Sequence, residues 1–348
     1  MSKKTKTILK IALFGVILIS VIAGLSAAAD PIKWFDEGRI QNRNARLVAM
    51  LKEPEDTIEV ANIGDSLSLT GFSPMEIWRV SGITAVNVGA DGLRMMEAYY
   101  NMVDTVESQH PKVMMLESLM LFRYSFNNDA QELISEPLNH RFAFLKYHSL
   151  WKTYVEKLGN RIYHKGYLIN ENVAPYEGPA DYMSRELEDG GRTTIPEFNR
   201  RLLEKMAKYC RDNDVELIIY SMPSAKGYNY ERTNTLQAVA DEIGVKYLDL
   251  NTVEGLDIDW ENDTNDGGDH INYYGAVKTA PVFAKYLKEN SDVTDRRGDP
   301  AYAYWYMELA DYDQLVIAMD GKSFQDLANE EKEAWRQEML IKAGRKKQ

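Results

Sequence analysis

A parallel α/β sheet covered by helices on both faces, preceded by an apolar N-terminal helix, is the fold class this sequence predicts. Three observations predict it. Five short apolar runs alternate with helical patterns through the middle of the chain, which is how βαβ units appear in a sequence. An uncharged stretch opens the chain behind a cluster of lysines. Two polar motifs, far apart in sequence, each fall just after one of the strand-like runs or just before a helix, where open α/β sheets gather ligands.

The N-terminus comes first. Lys3, Lys4, Lys6 and Lys10 precede Ile11 to Ala29, 19 residues without a charge. That length spans a hydrocarbon core, and the lysines place residues 1–10 on the cytoplasmic side. Ala27-Ala28-Ala29 also satisfies a small-residue cleavage pattern, so secretion after signal cleavage near Ala29 is the rival expectation. The span length favours the uncleaved anchor. Either way the remainder lies outside the cytoplasmic membrane. Residues 30–56 are expected to form a helical stalk, with Leu47, Met50 and Leu51 apolar and Arg43, Arg46 and Lys52 solvated.

The predicted strands are Thr57–Ile63, Thr84–Val88, Lys112–Leu116, Val215–Ser221 and Val245–Leu250. The helices between them carry Met75–Val80, Leu93–Val106, Phe198–Cys210 and Leu236–Ile243. Together they define a domain over 57–290 with right-handed crossovers. The alternation breaks over 119–196, too long for an ordinary connection. That stretch is expected to be a helical insertion, and its aromatics (Phe142, Phe144, Tyr147, Trp151, Tyr154, Tyr163, Tyr167, Tyr176 and Tyr182) serve either as subdomain core or as a wall beside the site. Residues 291–348 make a helical appendage ending in a basic tail at Lys342–Lys347.

Composition narrows the function. Hydrophobic residues make up 45% of the chain, enough for a sizeable core. A net charge of −12, from 41 basic and 53 acidic residues, offers no basic stripe to a phosphate backbone and excludes nucleic acid as a partner. Cys210 is the single cysteine, so no intrachain disulfide exists, and its apolar helical neighbours make it a packed residue.

The chemistry lies in Ala61-Asn-Ile-Gly-Asp-Ser66-Leu-Ser-Leu-Thr70 and Asp266-Gly-Gly-Asp269-His270-Ile-Asn-Tyr-Tyr-Gly275. Ser66 stands at the end of the first strand. A serine hydroxyl needs a base, and the base needs an orienting acid. Of five histidines, His270 alone sits between the last strand and a helix, at the same sheet edge as Ser66. Asp266 and Asp269 both precede it. Gly267-Gly268 is flexible enough to let Asp266 reach back, whereas adjacent side chains such as Asp269 and His270 usually point apart. Asp266 is therefore favoured, with Asp269 the alternative. The backbone N–H groups of Ser66 and Gly92, the latter in Asn87-Val-Gly-Ala-Asp-Gly92, are candidate donors to a developing oxyanion.

These blocks resemble the SGNH (GDSL) hydrolase family over roughly Thr57 to Asn290. The resemblance implies a flavodoxin-like three-layer sandwich, Ser66 as nucleophile, His270 as base and Gly92 as the second-block oxyanion glycine. The family's usual acid stands three residues before the histidine, where this chain has Gly267. The family's third block is Gly-x-Asn-Asp, but here that place reads Leu116-Glu117-Ser118-Leu119, leaving the Ser118 hydroxyl as a substitute donor. The anchor, the insertion and the missing Asn resemble the narrower group that partners membrane-bound O-acyltransferases. That implies serine-dependent acyl transfer, acetyl or D-alanyl, to a cell-surface glycan or teichoic-acid-like polymer. An envelope-glycan esterase and a non-catalytic scaffold are the alternatives. No cofactor and no metal is expected. The sequence lacks a Gly-x-Ser-x-Gly elbow, a dinucleotide fingerprint and a phosphate loop, and the acidic run Asp257–Asp263 lacks the glycine of an EF-hand loop.

Overall fold

In the computed structural model, which describes residues 2–36, 42–123, 126–147, 164–185 and 194–319, all five predicted runs form strands. They are β1 (Val60–Ile63), β2 (Ala85–Asn87), β3 (Val113–Glu117), β4 (Glu216–Ser221) and β5 (Lys246–Asp249). Every pairing is parallel and the order is β2-β1-β3-β4-β5. This is the flavodoxin-like order, in which the chain leaves β1 toward one edge and returns past it to the other. A crevice therefore opens between the carboxyl ends of β1 and β3. The first residue of each run lies outside its strand, and β3 extends one residue past its run, to Glu117.

Strands β1 to β4 are buried on both faces, as parallel sheets require, while the edge strand β5 begins at an exposed Lys246, and the helices supply the cover. α5 (Pro74–Ser81) and α11 (Tyr273–Asn290) pack together in one layer, while α6 (Met95–Gln109) and α9 (Glu197–Asp212) pack together in the other. α10 (Tyr230–Ile243) covers β5 and begins two turns before the apolar residues that predict it. Asn229 accounts for the early start, its side chain accepting from the Arg232 N–H as an N-cap.

The N-terminal apolar stretch is one helix, α1 (Lys3–Ala28), with none of its residues buried. By length and composition it suits either a membrane anchor or a signal sequence. The expected stalk is different in kind. After α2 (Pro31–Asp36) a second piece, α3 (Ala45–Leu51), packs Leu47 and Met50 into the main core. Those residues were expected on a free helix, but they share one face with the domain.

Among the described residues, the α-helices of the insertion lie in its first part, α7 (Phe126–Arg141) and α8 (Ala143–Lys146). From Tyr167 to Asp181 it has no regular structure, and its backbone bonds go to other segments: the Leu168 N–H to the Leu69 carbonyl, Ala174 to Thr264, Tyr176 to Trp260. Trp151, Tyr154 and Tyr163 lie outside the described residues. The appendage docks on the chain itself through α12 (Tyr304–Met319), where Trp305 lies 5.1 Å from Trp78 of α5, centroid to centroid. The Lys342–Lys347 tail lies outside the described residues.

Candidate active site

β1 ends at Ile63 and the chain turns sharply through Gly64. A Cβ on Gly64 would lie 2.5 Å from the Glu117 side chain of β3, so glycine is what lets the two strand ends approach. Asp65 then caps the short helix α4 (Ser66–Gly71), its carboxylate accepting from the Leu67 N–H at 3.0 Å. Ser66 is the first residue of that helix and partly exposed. Its backbone N–H has no intrahelical partner.

The structure brings Ser66, His270 and Asp266 together. His270 Nε2 lies 2.8 Å from Ser66 Oγ, and His270 Nδ1 lies 2.5 Å from Asp266 Oδ2. The second Asp266 oxygen accepts from the backbone N–H groups of Asp269 and His270, at 3.1 and 2.8 Å. One carboxylate thus holds both the ring and the loop that bears it. Gly267 and Gly268 have φ of +76° and +93°, the left-handed region in which glycine costs least, and this lets Asp266 fold back over four residues. Asp269 approaches Nδ1 only to 3.7 Å, beyond hydrogen-bond range, and its other oxygen lies 3.4 Å from Ser224 Oγ. Of the two candidate acids, geometry selects Asp266.

The His270 loop is held from three sides. Lys226 donates to the Asp266 carbonyl at 2.9 Å, and the Lys226 N–H donates to the Gly268 carbonyl. Thr264 Oγ1 donates to the His270 carbonyl and accepts from the Gly268 N–H. The irregular part of the insertion supplies the third support, because Gly267 donates to the Ala174 carbonyl and Tyr273 to that of Asn170. The insertion therefore braces the loop that carries the base.

Gly92 is exposed, has a φ of +58° and has open space where a Cβ would stand. The preceding carbonyl, that of Asp91, accepts from Arg43 at 2.7 Å, and Arg43 also pairs with Glu97 on α6. The segment between α1 and the sheet thereby ties down the turn that carries Gly92. Ser118 does not take the place of the missing Asn. Its side chain is fully buried, with Oγ 2.9 Å from Ser221 Oγ and 2.8 Å from the Tyr228 hydroxyl. Both of these partners lie inside the core, so the hydroxyl is engaged there.

Two further charged groups stand beside the triad, and the sequence reading missed the first of them. Arg123 follows the turn after β3 and places its guanidinium 2.7 Å from Asp65 Oδ2. Asn199 of α9 holds that turn by donating to the carbonyls of Leu121 and Arg123. Arg123 stays 38% exposed, so a cation faces solvent next to the nucleophile's own helix. Glu117 is the second. It is fully buried, accepts from the Leu119 N–H and bonds the Tyr228 hydroxyl. Burial, reinforced by the Asp65 charge, pushes its pKa up to about 8. Burial raises Asp65 as well, with Arg123 and the Leu67 N–H opposing it. No local motif marks Arg123, and Glu117, although it stands in the third block, acquires its surroundings by tertiary packing.

Asp266, Asp269 and His270 present ligand atoms within 4.8 Å of one another, a spacing a metal could also use. Both ring nitrogens of His270 are already engaged, by Ser66 and Asp266, so a cation would have to displace one of them. Cys210 is buried and its thiol is pushed up to about 12 by burial, which leaves it inert. Asp263, the last residue of the acidic run, is buried and paired with Lys278.

No family model and no curated protein matches the sequence. Among solved structures the chain is similar to a lipase/acylhydrolase from Enterococcus faecalis, at 11% identity and a TM-score of 0.38 over 68% of this chain and 99% of the other. It is similar to a GDSL-like lipase from Bacteroides thetaiotaomicron, at 12% and 0.36 over 71% and 96%. It is also similar to a family 3 carbohydrate esterase from Clostridium thermocellum, at 14% and 0.36 over 67% and 96%. Likeness at this level leaves the functional argument to the geometry of the site.

Proposed function

We propose that the chain is a serine-dependent acyl-transfer enzyme that moves an acetyl or D-alanyl group to a cell-surface glycopolymer outside the membrane. The Ser66–His270–Asp266 relay, with serine and carboxylate on opposite ring nitrogens, is the observation that carries this reading. His270 Nε2 takes the Ser66 proton as Oγ attacks the acyl carbonyl carbon. The carbonyl π electrons become an oxyanion, met by the N–H groups of Ser66 and Gly92. Collapse expels the donor's leaving group, which takes the proton from His270, and an acyl ester remains on Ser66. An acceptor hydroxyl then gives its proton to His270, attacks the same carbonyl and releases Ser66. Asp266 holds the tautomer and stabilises the imidazolium.

The missing third-block Asn supports a slow site that works beside a membrane-bound O-acyltransferase supplying activated acyl groups. Loss of one oxyanion donor costs about 10²–10³ in turnover, which positioning by such a partner would offset. The test is the intact mass of the protein after exposure to an activated acetyl ester, with Ser66→Ala as control. An acetyl adduct on Ser66 that transfers to a polyol faster than to water is the expected result. Discharge to water alone would make the chain an envelope-glycan esterase, and no adduct would leave a scaffold.

A further inference from the structure

Helix α7 segregates its charge. Asp129 and Glu132 pair with Arg94 of α6, and His140 lies 2.9 Å from Asp104 of the same helix. The opposite side presents Ile134 and Leu138, 70% and 43% exposed, and Leu133, 52% exposed, flanks the charged face. One exposed leucine means little. Three large aliphatics within two turns of one helix, with the acidic residues turned inward, form an amphipathic stripe.

The surroundings of this stripe identify its occupant. The Phe142 N–H donates to the Leu138 carbonyl at 2.9 Å, so α8 begins one turn beyond the stripe. The Phe144 N–H of α8 lies 3.3 Å from Ser26 Oγ. Ser26 is inside the uncharged stretch Ile11–Ala29, and at ~1.5 Å of rise per residue it lies only about 5 Å below the end of that stretch. Tyr147, just past α8, meets Trp34 edge to face at 6.4 Å, an aromatic pair at the depth where membrane helices place such residues. Where α1 spans a bilayer, α8 stands at its outer boundary and the stripe lies at the same level.

We propose that α7 lies in the outer interface of the membrane that α1 spans, with Leu133, Ile134 and Leu138 in the boundary between headgroups and acyl chains. This rests on the anchored reading of α1 and not on the chemistry at Ser66. It gives the domain a second point of attachment and therefore a fixed tilt. Arg94, which grips the start of α7, stands two residues after Gly92, so the mouth of the site is held close to the bilayer. The acyl donor or acceptor is then one presented near the membrane surface.

The experiment uses the full chain in vesicles of phosphatidylcholine and phosphatidylglycerol. A bimane label is placed at Leu138→Cys, and separately at Ile134→Cys in case the first variant folds poorly. Glu289→Cys, exposed at the end of α11, is the control, and the native Cys210 is buried and unreactive. Lipids with a nitroxide high on the acyl chain should quench the α7 labels severalfold more than the control and shift their emission to the blue. Equal quenching at all three sites, in protein that floats with the vesicles, overturns the proposal. A blue shift without lipid quenching also overturns it, since the stripe would then be covered by protein. Failure to float, or a mature terminus at Asp30, removes the anchor itself and the proposal with it, while leaving acylation of Ser66 unaffected.

Discussion

Two carboxylates precede His270, and reach decides between them. Asp269 is adjacent in the chain, yet it stays 3.7 Å from the ring, while Asp266 arrives at 2.5 Å through two left-handed glycines. We expect Asp266→Asn to lower turnover by ~10³–10⁴, the loss typical when the orienting acid can no longer hold the tautomer. Asp269→Asn should stay within about tenfold of the parent, since it touches the loop and not the ring. Steady-state rates on a small activated ester measure both, and equal losses would mean the two acids share the role. Ser66 and His270 were legible because each motif marks a position on the sheet edge. The choice of acid was legible only as a preference for Asp266, because it depends on backbone dihedrals that Gly-Gly permits without dictating. Arg123 was hidden for a different reason: its relation to Asp65 spans 58 positions in the chain, with no local pattern.

At the scale of elements, the five strands followed from their apolar runs, because a sheet buried on both faces needs continuous hydrophobic segments. The insertion was half legible. Its helical part has a periodic pattern, but the Tyr167–Asp181 course is set by backbone bonds to distant loops, which no periodicity encodes. The end of β3 is the place where an element stores a titration. Glu117 holds a proton there with a pKa near 8, against about 4.5 in an unfolded chain. A group raised on folding contributes stability that is complete below its unfolded pKa and is lost as the pH climbs through the folded one. Glu117→Gln imitates the protonated form, keeping an acceptor for the Leu119 N–H and a donor for Tyr228. Between pH 6 and 8 the parent should lose about 2–3 kcal/mol relative to this variant, at ~1.4 kcal/mol per pH unit. Urea unfolding across that range gives the difference directly. Parallel curves for the two proteins would show that Glu117 is ionised throughout.

At the scale of the molecule, one buried lysine ties together three regions that are distant in the sequence. Lys165 of the insertion is fully buried, 2.7 Å from Glu53 beyond α3 and 2.6 Å from Glu308 of α12. Its ammonium also lies over the rings of Tyr304 and Trp305, at 5.1 and 4.5 Å. Burial alone would lower its pKa, but the two carboxylates outweigh that and hold it above the ordinary value. The next residue, Gly166, leaves its backbone against the Asn87 carbonyl, where a Cβ would approach to 1.8 Å, and its own carbonyl accepts from Arg46. The clamp thus fixes the pieces surrounding the sheet edge, and it was invisible in the sequence because a lone lysine there has every appearance of a solvated charge. Lys165→Met keeps the bulk of the side chain and strands two carboxylates, of which Glu53 is nearly buried. Breaking a buried pair in this way costs about 3–5 kcal/mol, most of it the penalty of the unpaired charge. Neutralising both partners as well, in Lys165→Met/Glu53→Gln/Glu308→Gln, should recover much of that loss, since the stranded charge is gone. Denaturant unfolding should also show α12 released first in the single variant, seen as cleavage near residue 300 under limited proteolysis. A single variant within about 1 kcal/mol of the parent, with α12 still protected, would show that aromatic packing around Trp305 holds the appendage without the ion cluster.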